Sequence, residues 1–173
     1  MVVGILPAVG SGLDTMAGTG QLGRLTQYLQ WYSTLGEVRF FSYLNEGIET
    51  YHWQSFGLGH HQLVAHRHSG SPLRALLRPL KNPAAWRTCS VLRAMNLLGA
   101  IPALTARCVW GTPFVLSVGA DYRAIATIHG RSQRHLAKWA WLERVALRLA
   151  AAVLVSNPLL AARLQAKHPT ARI

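Results

Sequence analysis

Acidic residues are scarce: six Asp and Glu stand against 18 Lys and Arg, for a net charge of +12. None lies between Glu49 and Asp121, an interval that holds Arg67, Arg74, Arg78, Lys81, Arg87, Arg93 and Arg107. Compositional bias toward Arg and Ala accounts for part of this excess. The rest is a field that attracts an anion, whether a phospholipid surface, a phosphate-bearing substrate or nucleic acid. Nucleic acid is disfavoured, because the bases are spread along the chain without a helix-turn-helix, zinc-finger or single-strand-binding signature. Cysteine is rarer still. Cys89 and Cys108 lack CxxC spacing, which excludes a disulfide framework and suits free thiols in a reducing compartment. No apolar run reaches the roughly 18 residues of a membrane-spanning helix. The best stretch, Val145 to Leu164, is interrupted by Arg148, Asn157 and Pro158. The N-terminus has neither the basic start nor the apolar core of a signal peptide. These absences together give a cytoplasmic expectation.

Two apparent motifs also fall short. Gly18, Gly20 and Gly23 satisfy GxGxxG, but the loop from Ala8 is longer than the tight turn of a dinucleotide fingerprint. No acid ends the next strand to hold a ribose; Ser42 and Tyr43 stand there. His60, His61, His66 and His68 have no regular ligand spacing and no accompanying carboxylate, so no metal is expected. No bound cofactor is expected either.

What remains is a chain of 173 residues, half of them hydrophobic, enough for one α/β domain with a buried core. Val2 to Ala8 reads as a strand buried on both faces, followed by a glycine-rich loop from Val9 to Gln21. Leu22 to Leu35 has helical spacing and stops at Gly36, and Val38 to Tyr43 is a second strand. This is a βαβ opening. Farther on, strands are expected near Gln62 to Ala65, Ser90 to Met95, Pro113 to Val118 and Val153 to Ser156. Helices are expected over Pro72 to Leu80, Leu98 to Cys108, Ser132 to Ala151 and Pro158 to Lys167. The alternation predicts a doubly wound, mostly parallel sheet, with Val2 to Ala8 and Pro113 to Val118 in its interior. No repeat, linker or low-complexity tract divides residues 1–173. Ala171, Arg172 and Ile173 look like the start of another strand, so a truncated chain is the expectation.

The Ser132 to Ala151 helix has two unlike faces. On a helical wheel Glu143 shares an arc with Leu136, Trp139, Ala140, Ala146, Leu147 and Ala150, which turns a carboxylate toward the core. Structural pairing is the expected reason. The other arc carries Arg131, Arg134, Lys138, Trp141 and Arg148, with Arg144 at its edge. Such a face fits an anionic lipid surface, plain solvent, or another domain.

The residues from Gly99 onward carry a resemblance. They read Gly99-Ala100-Ile101-Pro102, then Gly111-Thr112-Pro113-Phe114-Val115-Leu116-Ser117-Val118-Gly119-Ala120-Asp121-Tyr122, then Leu142-Glu143-Arg144 and Ala152-Val153-Leu154-Val155-Ser156-Asn157. With the Gly20 to Arg24 segment, they are similar to the N-terminal domain of family 4 glycosyltransferases. The resemblance spans most of the chain and is weakest over residues 51–85. It implies the GT-B arrangement of two facing Rossmann-like domains, with this chain as the acceptor-side half. The C-terminal, donor-binding domain would then lie outside these 173 residues. The implied activity is retaining transfer from a nucleotide sugar to a glycan or lipid-linked acceptor, as in cell-envelope polysaccharide assembly.

The same resemblance assigns residues. Gly18, Thr19 and Gly20 would approach the donor phosphates, while Arg24, Arg93 and Asn96 would face the acceptor. Asp121 stands near the position where many relatives have a cleft histidine. It would bind acceptor hydroxyls, assist proton removal, or only cap the next segment. His129 would supply the missing imidazole. Without its second domain the chain is expected to be inactive, and peripheral attachment at the inner membrane face is compatible with its charge. The alternative reading is a non-catalytic module that binds anionic lipid or polysaccharide.

Overall fold

In the computed structural model, residues 1–9, 16, 18–42, 61–65 and 72–173 are described. The opening apolar run forms β1 (Val2–Leu6), and the first helical pattern forms α1 (Leu22–Ser33), which buries Leu25, Thr26 and Leu29. The chain then turns at Gly36, whose φ is +144°. A Cβ at Gly36 would lie 2.2 Å from the Met1 carbonyl oxygen, so only glycine fits that approach. Next come β2 (Glu37–Ser42), β3 (His61–Ala65), α2 (Pro72–Lys81), α3 (Pro83–Arg87) and β4 (Val91–Ala94). The remainder is α4 (Ala100–Trp110), β5 (Phe114–Val118), α5 (Tyr122–Ile128), α6 (Gln133–Leu149), β6 (Ala152–Val155) and α7 (Pro158–Lys167). Side chains mark the starts of the last three helices: Asp121 caps α5, Ser132 caps α6 and Asn157 caps α7. Pro102 sits in the first turn of α4, where its missing N–H costs nothing.

The six strands are all parallel and run in the order β3-β2-β1-β4-β5-β6. This is a Rossmann-like, doubly wound sheet, with its topological switch between β1 and β4. Both β1 and β5 are interior, as their uninterrupted apolar character predicts. Beyond α7, the Arg172 carbonyl accepts the Val153 N–H at 2.8 Å, so residues past the last helix run beside β6. The short helices α3 and α5 are additions to the sequence reading. Of the histidine cluster, His60, His66 and His68 lie outside the described residues, and His61 opens β3.

Two cores cover the two faces of the sheet unequally. One face is filled by Leu6, Phe41, Leu92, Phe114 and Leu116 together with Trp86 of α3, Leu97, and residues of α4, α6 and α7. Trp86 and Phe41 are fully buried with ring centroids 4.1 Å apart. The opposite face packs Val3, Ile5, Val38 and Phe40 under Leu25 and Leu29 of α1. No described helix covers the rest of this second face. Arg93, Val115 and Ser117 are only half-buried there, and Leu154 of β6 is 51% exposed.

Arg39 ties the first core to β2. Its Nε donates to Glu37 Oε1 at 2.7 Å and its Nη1 to the Ala85 carbonyl at 2.9 Å and to Thr88 Oγ1. Cys89 lies beside this network, and burial pushes its thiol up to about 11 even though Arg39 opposes the shift. Cys108 is exposed. At pH 8 a thiol reagent should therefore modify Cys108 quickly and Cys89 only on unfolding. Two equally fast thiols in the native chain would contradict this packing. The raised value also has a sign for stability. The unfolded thiol ionises first, so this contribution is full below pH 9 and falls as pH rises toward 11.

Candidate functional site

The half-covered face and the switch point meet in one groove of about 520 Å³. Its wall is the outward side of α1, with Gln21, Arg24, Tyr28 and Trp31; its floor includes Arg93 and Ser117. Gly119 and Ser156, just past β5 and β6, close its end, and the Ser156 hydroxyl donates to the Gly119 carbonyl at 3.1 Å. Carboxyl ends of parallel strands are where open α/β sheets bind ligands, because the loops and helix starts there present unpaired backbone groups.

The glycine loop enters this groove at Gln21. Gly18, Thr19 and Gly20 are exposed, and the Gln21 N–H donates to the Met16 carbonyl at 2.8 Å. Met16 itself is buried in the second core, so it anchors the turn. Gly20 has φ +69°, a left-handed conformation, and a Cβ built there meets no described residue other than its chain neighbours within 4 Å. Gln21, which lines the groove, offers α1 no side-chain cap, so the first amides of the helix have no side-chain partner there.

Arg24 is exposed on the wall, one turn into α1. Arg93 lies in register between Ile5 of β1 and Val115 of β5. Its Nη1 is enclosed and has no hydrogen-bond partner. The described acids are engaged elsewhere: Glu37 with Arg39 at 2.7 Å, Asp121 with Lys167 at 3.6 Å and Glu143 with His168 at 3.2 Å. The groove is thus rich in donors and has no described counter-ion.

The other expected site residues are not brought into the groove. Asn96 Oδ1 accepts the Gly99 N–H at 2.9 Å in the turn before α4. Asp121 Oδ1 accepts the Ala124 N–H at 3.0 Å, the capping role foreseen as one of its readings. His129 is exposed at the far end of the same helix. Eight residues of helical rise separate Asp121 from His129 by about 12 Å, so the two do not share a proton. Tyr28, Trp31, Ser117 and Ser156 were not singled out in the sequence. Spacing was a usable signal for Trp31, which lies well round the helix from Leu25 and Leu29, with Tyr28 one turn before it.

Two other surfaces stand out. A larger hollow of about 700 Å³ lies by the start of β5 and β6, where Arg107, Arg144, Arg148 and Arg172 surround it. These guanidiniums are exposed and solvated, unlike Arg93, so size does not make this hollow the better ligand site. The second surface is α2, which packs against α4 through Ala75 and Ile101. It turns Leu73, Leu76, Leu77 and Leu80 outward, each between 37% and 67% exposed. Exposed Arg74, Lys81 and Arg87 flank them. On α6 the two arcs are as the wheel predicts: Glu143 is buried against His168, while Trp141 and the four arginines and one lysine of the basic arc are exposed. Among the described residues no helix is long and apolar enough to cross a membrane, and no cluster of His, Cys, Asp or Glu is able to hold a metal. No family model and no curated protein matches the chain.

Proposed function

We propose that this chain is the acceptor-side domain of a retaining glycosyltransferase that takes its sugar from a nucleotide donor. The observation that carries the reading is that Arg24 and Arg93, far apart in sequence, line one groove at the carboxyl ends of a parallel sheet. Both are residues that the resemblance assigns to the acceptor, and the Gly18 to Gly20 loop leads directly into Gln21 on the groove wall. In this reading the nucleotide sugar is bound chiefly by a second domain facing the groove. Gly18, Thr19 and Gly20 meet its diphosphate with backbone amides, and Arg24 and Arg93 orient the acceptor. No resident cofactor or metal is needed. Asp121 and Asn96 serve by holding the starts of α5 and α4. The purified 173-residue chain should release no nucleotide from any nucleotide sugar, with or without glycan. Acceptor-dependent release by this chain alone would overturn the two-domain reading.

A specific observation also favours peripheral attachment to the inner membrane face. The leucines of α2 with their flanking cations resemble an interfacial helix, and the basic arc of α6 with Trp141 adds charge. Apolar insertion and attraction to anionic lipid act together there. The chain should co-sediment with phosphatidylglycerol vesicles more than with phosphatidylcholine vesicles, less so at high salt, and Leu73→Ser/Leu77→Ser should weaken both. Equal sedimentation with both lipids would exclude the electrostatic part. An unchanged double variant would exclude α2.

A further inference from the structure

We infer that the groove between α1 and the open half of the sheet recognises an acidic saccharide, whose carboxylate or phosphate pairs with Arg93 and Arg24. The saccharide part of this inference rests on the glycosyl-transfer reading; the anion part rests on the groove itself.

The argument starts from Arg93. A guanidinium carries five N–H donors in a planar fork and stays charged at any physiological pH. On β4 its register neighbours are Ile5 and Val115, whose side chains offer no acceptor. Its Nη1 is enclosed and has no hydrogen-bond partner, a rare state for a buried polar atom, and the residue lines the groove. Nor does a described carboxylate answer it, since Glu37, Asp121 and Glu143 are engaged with Arg39, Lys167 and His168. Arg24 projects from the adjacent wall, and the uncapped amino end of α1 adds partial positive charge beside it. Ser117 supplies a hydroxyl on the floor. A ligand group suited to this setting is acceptor-only and anionic, and a planar carboxylate or a phosphate meets the fork with two parallel bonds.

The rest of the groove describes the remainder of the ligand. Tyr28 and Trp31 are 38% and 74% exposed along the wall, where their rings offer flat apolar surface. A volume of about 520 Å³ is in the range of small-molecule sites. A ring with apolar faces and polar edges, carrying one negative group, matches that surface. A fully neutral sugar would leave the Arg93 charge in the groove without a described counter-ion.

The test is equilibrium binding to the purified chain by titration calorimetry, with D-glucuronate, glucose 1-phosphate, D-glucose and inorganic phosphate as probes. At least one of the two acidic sugars should bind about tenfold tighter than glucose and tighter than phosphate alone. Preference between those two identifies the anion as carboxylate or phosphate. Arg93→Met should abolish the preference, Arg93→Lys should restore only part of it, and Arg24→Met at its exposed position should reduce it severalfold. Arg144→Met, in the distant basic hollow, should change nothing. Glucose binding as tightly as both acidic sugars would overturn the proposal. So would an undiminished preference in Arg93→Met with a native melt and in Arg24→Met. Phosphate matching glucose 1-phosphate, with no preference for glucuronate over glucose, would overturn the saccharide part. Transfer by the joined domains to neutral acceptors alone would defeat this inference and leave the enzyme reading intact. Acidic-sugar binding by a joined protein that never transfers would do the opposite.

Discussion

His168→Ala is expected to lower the unfolding free energy by about 3 kcal/mol, a large share of the stability of a domain this size. Glu143 on α6 is 4% exposed, and its Oε1 lies 3.2 Å from Nε2 of His168, just past α7. Removing the imidazole leaves a carboxylate in the core with no other described partner, and the desolvation that the pair had offset is then uncompensated. Loss of packing where α7 meets α6 adds to this. A neutral replacement of the pair distinguishes the two contributions. Glu143→Met/His168→Leu should recover most of the loss, because two apolar side chains of similar volume need no partner. Urea denaturation of the three proteins measures this directly. His168→Ala within about 0.5 kcal/mol of the parent would mean that Glu143 is satisfied by water, against its burial. Any fall in transfer activity should follow the fall in folded fraction, since Glu143 is not in the groove.

Glu143 was legible in advance because a helical wheel needs only local spacing, and α6 keeps that spacing for 17 residues. The strands β1 and β5 were legible for the same reason: short apolar runs bounded by loops or by Gly and Pro. The helices α3 and α5, five and seven residues long, complete too few turns to show a period. Asp121 before α5 was the one local signal, and capping was among its readings. The leucines of α2 are a different kind of miss. Spacing of i, i+3, i+4 and i+7 ordinarily marks the face turned to the core. Here Ala75 and Arg78 are buried and the leucines face outward. Periodicity identifies a face but not the direction it points. The groove was half legible. Arg24 and Arg93 were singled out by resemblance, but their meeting depends on β4 lying beside β1, which only the strand order supplies. The exposure of Tyr28 and Trp31 depends in turn on which half of the sheet α1 covers.

On the proposed function, Gly20→Val should reduce transfer by the two-domain enzyme about a hundredfold, on the order of 3 kcal/mol of lost transition-state stabilisation. The proposal gives the loop one task, to bring backbone amides against a donor diphosphate as α1 begins. Gly20 adopts φ +69°, and among the described residues no atom beyond its chain neighbours lies within 4 Å of the position its Cβ would take. A valine therefore meets no wall, and its cost is torsional. A β-branched residue in the left-handed region is strained by roughly 1–2 kcal/mol, which the chain relieves by shifting the turn between Met16 and Gln21. That shift moves the amides at Gly18 and Thr19 and the first turn of α1, while the core under Leu25 and Leu29 stays packed. The melt should fall modestly and the rate steeply. Gly20→Asn is the informative control, because asparagine tolerates positive φ and should keep most of the activity. Arg24→Ala should raise the acceptor KM with a smaller effect on kcat, since it acts on the other substrate. Steady-state transfer and thermal melting of the three variants, measured together, decide the matter. If Gly20→Val turned over at near the parent rate with an unchanged melt, the loop would be a connection only, and the diphosphate would have to be held elsewhere.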